Sequence, residues 1–282
     1  MPQDAAPASP ATGYLYYRHR LPVRVMHWIN VVALTIMFMS GLQIFNAHAE
    51  LNWGKSSYDG TPAILTISSR PDGFGGLTGY TQLLGHEFDT TGVLGATQGA
   101  DGRWVRAAFP GWITVPGMKW LSMARSWHFF FAWIFVLNGM AFVLYSVFSR
   151  HLVRDLAPTA EDLKGLGASI RDHLRLRHPA GEAAKRYNVL QKLAYLVVIF
   201  VLLPLVILMG LAMSPWLNSL FPGWVDVFGG RQAARTIHFV AAWLLVGFAL
   251  VHVFEVIITG LWNNLRSMLT GRYRVTPVPS HE

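Results

Sequence analysis

The chain has 282 residues, 52% hydrophobic and only 13% charged, with a mean hydropathy of +0.35; a soluble domain carries about 25% charge, so a wholly water-facing surface is excluded. The absence of cysteine excludes disulfides, thiolate zinc sites, iron–sulfur clusters and covalently attached c-type haem, and leaves eleven histidines as the soft ligands. The net charge of +8 is not gathered into one basic run and no nucleic-acid motif is present, so it speaks for membrane topology rather than nucleic acid.

Residues 1–13 are rich in Ala and Pro and lack the basic start, apolar stretch and cleavage site of a signal peptide, so no cleavage is expected. Residues 1–17 are expected to form a disordered cytoplasmic tail. Four apolar stretches follow at about 25–45, 126–148, 190–213 and 236–258, each long enough to cross roughly 30 Å of hydrocarbon as a helix. They predict an all-α membrane protein, with residues 18–265 forming a four-helix transmembrane bundle. Fifteen Lys and Arg lie in the N-terminal segment, the second connection and the C-terminal segment, against eight in the first and third connections. By the positive-inside rule both termini of this multi-pass protein are expected to be cytoplasmic. Trp28, Trp127, Trp216 and Trp262 at the span ends suit the interfacial belt.

The connection at about 46–125 holds thirteen of the twenty-six glycines and nine Trp, Tyr and Phe, among them Trp53, Phe74, Trp104 and Trp112. So long a segment is functional or disordered, and its aromatics argue for an ordered periplasmic cap that serves as a docking surface; its fold stays open. In the second connection Thr159-Ala-Glu-Asp162 reads as a capping-box start, followed by Leu163, Leu166, Ile170 and Leu174 at helical spacing. An amphipathic cytoplasmic helix at about 159–178 is expected on the inner leaflet, and residues 266–282 are expected as a second cytoplasmic tail.

Ionisable side chains inside a span mark function by default. His27 opens the first span, His128 the second, and His238 and His252 both lie in the fourth. Fourteen residues of helix rise about 21 Å and return to nearly the same face, so His238 and His252 share a face at two depths. His27 matches the depth of His252 and His128 that of His238, which makes two opposed pairs. Two imidazoles per level suit two non-covalent b-type haems, whereas zinc wants a tetrahedral cluster. Small residues agree with a flat macrocycle: Ala241, Ala242 and Ala249 on the fourth span, Gly41 fourteen residues after His27, and Gly139 eleven after His128. Taken alone, the same residues suit close helix packing in lipid.

Arg24-Val-Met-His27-Trp28, His128 and the two fourth-span histidines resemble the bacterial di-haem cytochrome b subunits of nickel–iron hydrogenase, formate dehydrogenase and thiosulfate reductase. The resemblance covers all four spans. It implies that His27 and His252 ligate the iron of a cytoplasmic haem, and His128 and His238 that of a periplasmic one. Arg24 then faces a haem propionate or serves as a positive-inside anchor. The resemblance also associates an Asn-x-x-Gln segment with a quinone site. Asn188 and Gln191 match it and share a helix face; a helix cap by Asn188 is the other use of that residue. Glu255, one turn after His252, either relays quinone protons or bonds a neighbour. The long connection departs from the hydrogenase and formate dehydrogenase members. With Asn52-Trp-Gly-Lys55, Tyr58-Asp-Gly-Thr-Pro62 and Met213-Ser-Pro215 it is more similar to thiosulfate-reductase-type cytochromes that accompany a molybdopterin oxidoreductase.

The function expected is electron transfer between a periplasmic, molybdopterin-type oxidoreductase partner and membrane quinone. Substrate chemistry then belongs to the partner, and this chain sets ligands, spacing and dielectric around the haems. A free-standing cytochrome fed by a small diffusible donor, and a haemless membrane anchor or transporter, are the alternatives. The direction of flow, the quinone and the partner's substrate stay open.

Overall fold

The computed structural model describes residues 13–58, 60–99, 101–117, 119–176 and 181–276. The expectations for residues 1–12, for 177–178 at the end of the amphipathic helix, and for 277–282 lie outside them. In chain order the elements are β1 (Tyr14–Tyr17), α1 (Leu21–Phe45), β2 (Glu50–Leu51), β3 (Leu65–Pro71), β4 (Leu77–Leu83), β5 (His86–Asp89), β6 (Gly95–Gln98) and β7 (Trp104–Ala107). Then come α2 (Leu121–Phe148), α3 (Ala160–Lys164), α4 (Leu166–Leu174), α5 (Val189–Val197), α6 (Leu203–Ala212), α7 (Pro215–Leu220), α8 (Arg231–Ile258), α9 (Leu261–Thr270) and β8 (Arg272–Val275).

Four helical segments are long and apolar enough to cross a membrane: Leu21–Phe45, Leu121–Phe148, Val189–Ala212 and Arg231–Ile258. The third is not one regular helix. Between α5 and α6 the turn widens to π-helical geometry over Val198–Leu202, just before Pro204, which has no N–H to donate and whose ring crowds the carbonyl four residues back.

The chain forms two compact units. One comprises Trp28–Met140 and Phe200–Gly247. Its connection after α1 is a β module: β2, β3, β4 and β5 form an antiparallel sheet in that order, and β6 pairs with β7. The glycines the sequence concentrates here have specific uses. Gly95 sits at φ +78°, and a Cβ on it would lie 2.1 Å from the Ser68 carbonyl oxygen, so only glycine lets β6 come this close to β3. The module is seated on the helices by Leu42, Phe45, Leu51, Ile67, Ala108 and Phe109, with Phe239 against them. Asn52-Trp-Gly-Lys55 docks on the start of α8. The Gly54 carbonyl accepts from Gln232 and Ala233 N–H (3.0 and 3.2 Å), Thr236 Oγ1 donates to the Asn52 carbonyl (2.7 Å), and Lys55 pairs with Asp226 (2.9 Å). A helix N-terminus that lacks a side-chain cap is thus satisfied by a loop carbonyl.

The other unit comprises Met1–His27, Ala141–Ile199 and Phe248–Glu282. Here the two tails need correction. Tyr14–Tyr17 pairs antiparallel with Arg272–Val275, Tyr14 opposite Val275 and Tyr17 opposite Arg272, and α9 runs through Thr270. Aromatic residues favour strands, but the pairing joins opposite ends of the chain, so no local pattern announces it. The amphipathic segment is two helices broken at Gly165. Thr159 and Asp162 form the capping box at its start, and Asp162 also accepts from Lys192 (2.7 Å), which ties α3 to α5. The Lys192 ammonium, followed by the Thr159 N–H, holds the Asp162 carboxyl below the usual carboxylate range.

Candidate cofactor sites

His128 on α2 and His238 on α8 face each other with ring centroids 6.2 Å apart and planes at 63°. His128 Nδ1 donates to the Met37 carbonyl at 2.9 Å and lies 3.3 Å from Ser40 Oγ; His238 Nδ1 donates to the Val206 carbonyl at 2.8 Å. A carbonyl oxygen only accepts, so each Nδ1 carries the proton and each Nε2 keeps its lone pair for a metal. A glycine lies against each ring, at a distance where a Cβ would make ordinary contact. A Cβ at Gly41 would lie 3.4 Å from His128 Cε1, and one at Gly210 would lie 3.5 Å from His238 Cε1.

His27 on α1 and His252 on α8 form the second pair, with centroids 6.3 Å apart at 68°. Phe248, one turn before His252, stacks on its ring (6.0 Å, 14°), and Tyr195 meets it edge-on at 6.4 Å. Titratable groups surround this end. His173 Nε2 on α4 lies 3.4 Å from Glu255 Oε1, and Tyr187 Oη lies 3.4 Å from His19 Nδ1. Burial, followed by the Arg18 charge, pulls His19 down to about 4.

The spacing of the pairs is compatible with a shared metal ion. An imidazole nitrogen binds a metal at about 2.0–2.1 Å and sits about 1.2 Å from its own ring centroid, so two imidazoles on opposite sides of one iron have centroids about 6.4 Å apart. Both pairs meet that value, and the outward-facing hydrogen bonds of His128 and His238 set the tautomer that ligation requires. The residues present therefore fit haem held by paired histidines.

The remaining expected residues divide. Gly139 lies on α2 where a Cβ would meet nothing within 4 Å, a clear surface of the sort a flat group needs. Gly41 is nearest to the His128 ring itself, so it clears the ligand. Arg24 donates through Nε to the Met268 carbonyl (3.4 Å) and through Nη2 to that of Leu269. These contacts cap the last carbonyls of α9 and leave both uses of Arg24 from the sequence open. Asn188 and Gln191 form a reciprocal capping box on α5, with Asn188 Oδ1 accepting from Gln191 N–H (2.8 Å) and Gln191 Oε1 from Asn188 N–H (3.2 Å). Their carbonyl oxygens are committed to the backbone, while the amide NH2 groups keep their donor capacity. Glu255 bonds His173. Sequence reasoning missed Ser40, Met37, Val206, Gly210 and His173. Only Gly210, a small residue in an otherwise bulky span, carried a visible signal.

The family model described as prokaryotic cytochrome b561 matches residues 18–271. The chain belongs to this family. Its members are helical membrane bundles that bind haem b and transfer electrons, and that is the coarse function of this chain. The chain is also 27% identical over 239 residues to the putative protein-methionine-sulfoxide reductase subunit YedZ1 of Azospira oryzae, covering 85% of this chain and 89% of that one. No solved structure matches it.

Proposed function

We propose that this cytochrome b561-family protein holds two haems b, one on His128 and His238 and one on His27 and His252, and moves electrons between a molybdopterin-type oxidoreductase and membrane quinone. The observation that carries the reading is the pair of centroid distances, 6.2 and 6.3 Å, each matching bis-imidazole ligation of one iron. Bound haem supplies a one-electron carrier at each pair. The chain's own part is to present Nε2 from both sides, to fix the His128 and His238 tautomers through backbone carbonyls, and to carry His238 and His252 on one helix fourteen residues apart.

The excess of Lys and Arg supports an orientation with both termini in the cytoplasm, and the family resemblance supports a bacterial inner membrane, with the β module on the periplasmic side. That module offers an open groove lined by Arg103, Trp104, Arg106, Lys119 and a glycine-rich turn, which suits an acidic face on the redox partner. The relative from Azospira oryzae is named as a reductase subunit, in keeping with such a partner. Quinone is placed at the His27–His252 end, where Asn188 and Gln191 offer amide donors to a carbonyl oxygen and Glu255 stands one turn beyond His252.

The test is a reduced-minus-oxidised spectrum with a pyridine haemochrome assay on protein purified in mild detergent. About two b haems per chain are expected; none, in protein made with ample haem, overturns the reading.

A further inference from the structure

The His27–His252 end contains a histidine–carboxylate contact that electron transfer alone does not require. Glu255 lies in the last turn of α8, one turn past His252, with its side chain 15% exposed; His173 on α4 meets it at 3.4 Å and is itself 34% exposed. A carboxylate in a span is costly unless it is partnered or used. One partner comes from outside the spans, on α4, which follows α3 after Gly165; α3 in turn is tied to α5 by the Asp162–Lys192 pair, whose lysine is buried. The imidazole thus meets the carboxylate through Nε2 while its side chain stays partly exposed, as a proton carrier requires.

Building on the quinone reading above, we infer that His173 and Glu255 together form the proton path between the aqueous phase and the quinone head. Reduction of one quinone takes two electrons, delivered singly by the family's haem, and two protons, and each carbonyl becomes a hydroxyl. Glu255 gives a proton to a quinone oxygen and is left as carboxylate. His173 takes a proton from the aqueous phase and passes its Nε2–H to the carboxylate, returning to neutral imidazole, and the cycle runs twice for each quinone. Quinol oxidation runs the same transfers backwards. Nothing in the sequence marks His173, because its connection reads as a surface helix.

The test uses the full-length, haem-loaded protein, reduced and then mixed either with a short-chain quinone or with ferricyanide, which accepts an electron and no proton. His173→Ala and Glu255→Gln are expected to slow oxidation by quinone about 10²-fold, the scale of a lost general acid, with ferricyanide oxidation and haem spectra unchanged. Added imidazole restores His173→Ala and not Glu255→Gln, and Glu255→Asp keeps most of the rate. A carboxylic-acid infrared band that changes on reduction of the wild type is absent from Glu255→Gln. Wild-type rates with quinone in both variants overturn the inference, as do equal losses with ferricyanide or a failure of imidazole to rescue. If the wild type itself passes no electrons to quinone, the quinone reading falls and takes this inference with it.

Discussion

The two histidine pairs share a geometry and differ in what surrounds them. Around His128 and His238 the neighbours include backbone carbonyls, a buried serine, two glycines and Phe129, and each ring has one nitrogen held by a main-chain oxygen. Around His27 and His252 stand aromatic rings, the His173–Glu255 pair and the His19–Tyr187 contact. Backbone carbonyls hold a ring in place without taking or giving protons in the physiological range, so the first environment suits electron transfer alone. The second sets titratable groups beside an electron carrier, which is what a proton-coupled acceptor such as quinone needs. On the proposed reading, the same ligand chemistry is specialised by the groups that stand behind each pair.

The comparison breaks most sharply at the ligands. His128→Ala or His238→Ala is expected to drop the haem content from about two to about one per chain, with quinone reactivity at the other pair retained. His27→Ala or His252→Ala is expected to remove the other haem together with quinone reactivity, as read by haemochrome stoichiometry and quinone assay. Either variant keeping both haems would sink the assignment.

A smaller effect is expected at the glycines. Gly210→Ala sets a methyl 3.5 Å from His238 Cε1, an ordinary contact, and leaves haem binding unchanged. Gly210→Leu pushes the imidazole off the Val206 carbonyl and weakens haem retention about 10–100-fold, the usual cost of losing an outer partner. Transfer of haem to apomyoglobin measures it.

At the other pair, Asn188→Ala removes one half of the α5 capping box and costs about 1 kcal/mol of stability. Asn188→Asp keeps an acceptor for the cap and loses the amide donors. A fall in quinone turnover with an unchanged melting temperature therefore separates the quinone role from the cap, and unaltered turnover in Asn188→Asp rejects the donor role for that residue.

The mildest effect is a pH slope. Folded His19 titrates near 4 and its unfolded counterpart at 6.5, so between these values the unfolded chain binds more protons, and folding stability falls as pH drops from 6.5 toward 4. His19→Gln should flatten that slope in melting curves taken across the interval. Parallel slopes for wild type and variant would remove His19 from the account.

Much of this was legible in one dimension. The four spans follow from apolar runs longer than a bilayer is thick, and the four histidines stand out because an ionisable group in such a run needs a purpose. The capping box at Thr159 was readable because its two partners are three residues apart. What was not legible depends on contacts distant in sequence. The β1–β8 pairing joins the chain's ends, the start of α8 is capped by Gly54 from another segment, and the connection folds as β strands although its glycines and turns hide the alternation. Nor did the sequence show that Arg24 meets the last carbonyls of α9.

The sequence by itself determined that this chain spans a membrane through four helices and carries four in-span histidines in two levels, because hydrophobic length and helical periodicity are local properties. Only the tertiary structure decided that opposing rings stand 6.2 and 6.3 Å apart, which nitrogen of His128 and His238 is tied to a carbonyl, and that Glu255 meets His173. Those facts are fixed by how separate helices pack, and packing brings together residues that no spacing along the chain relates.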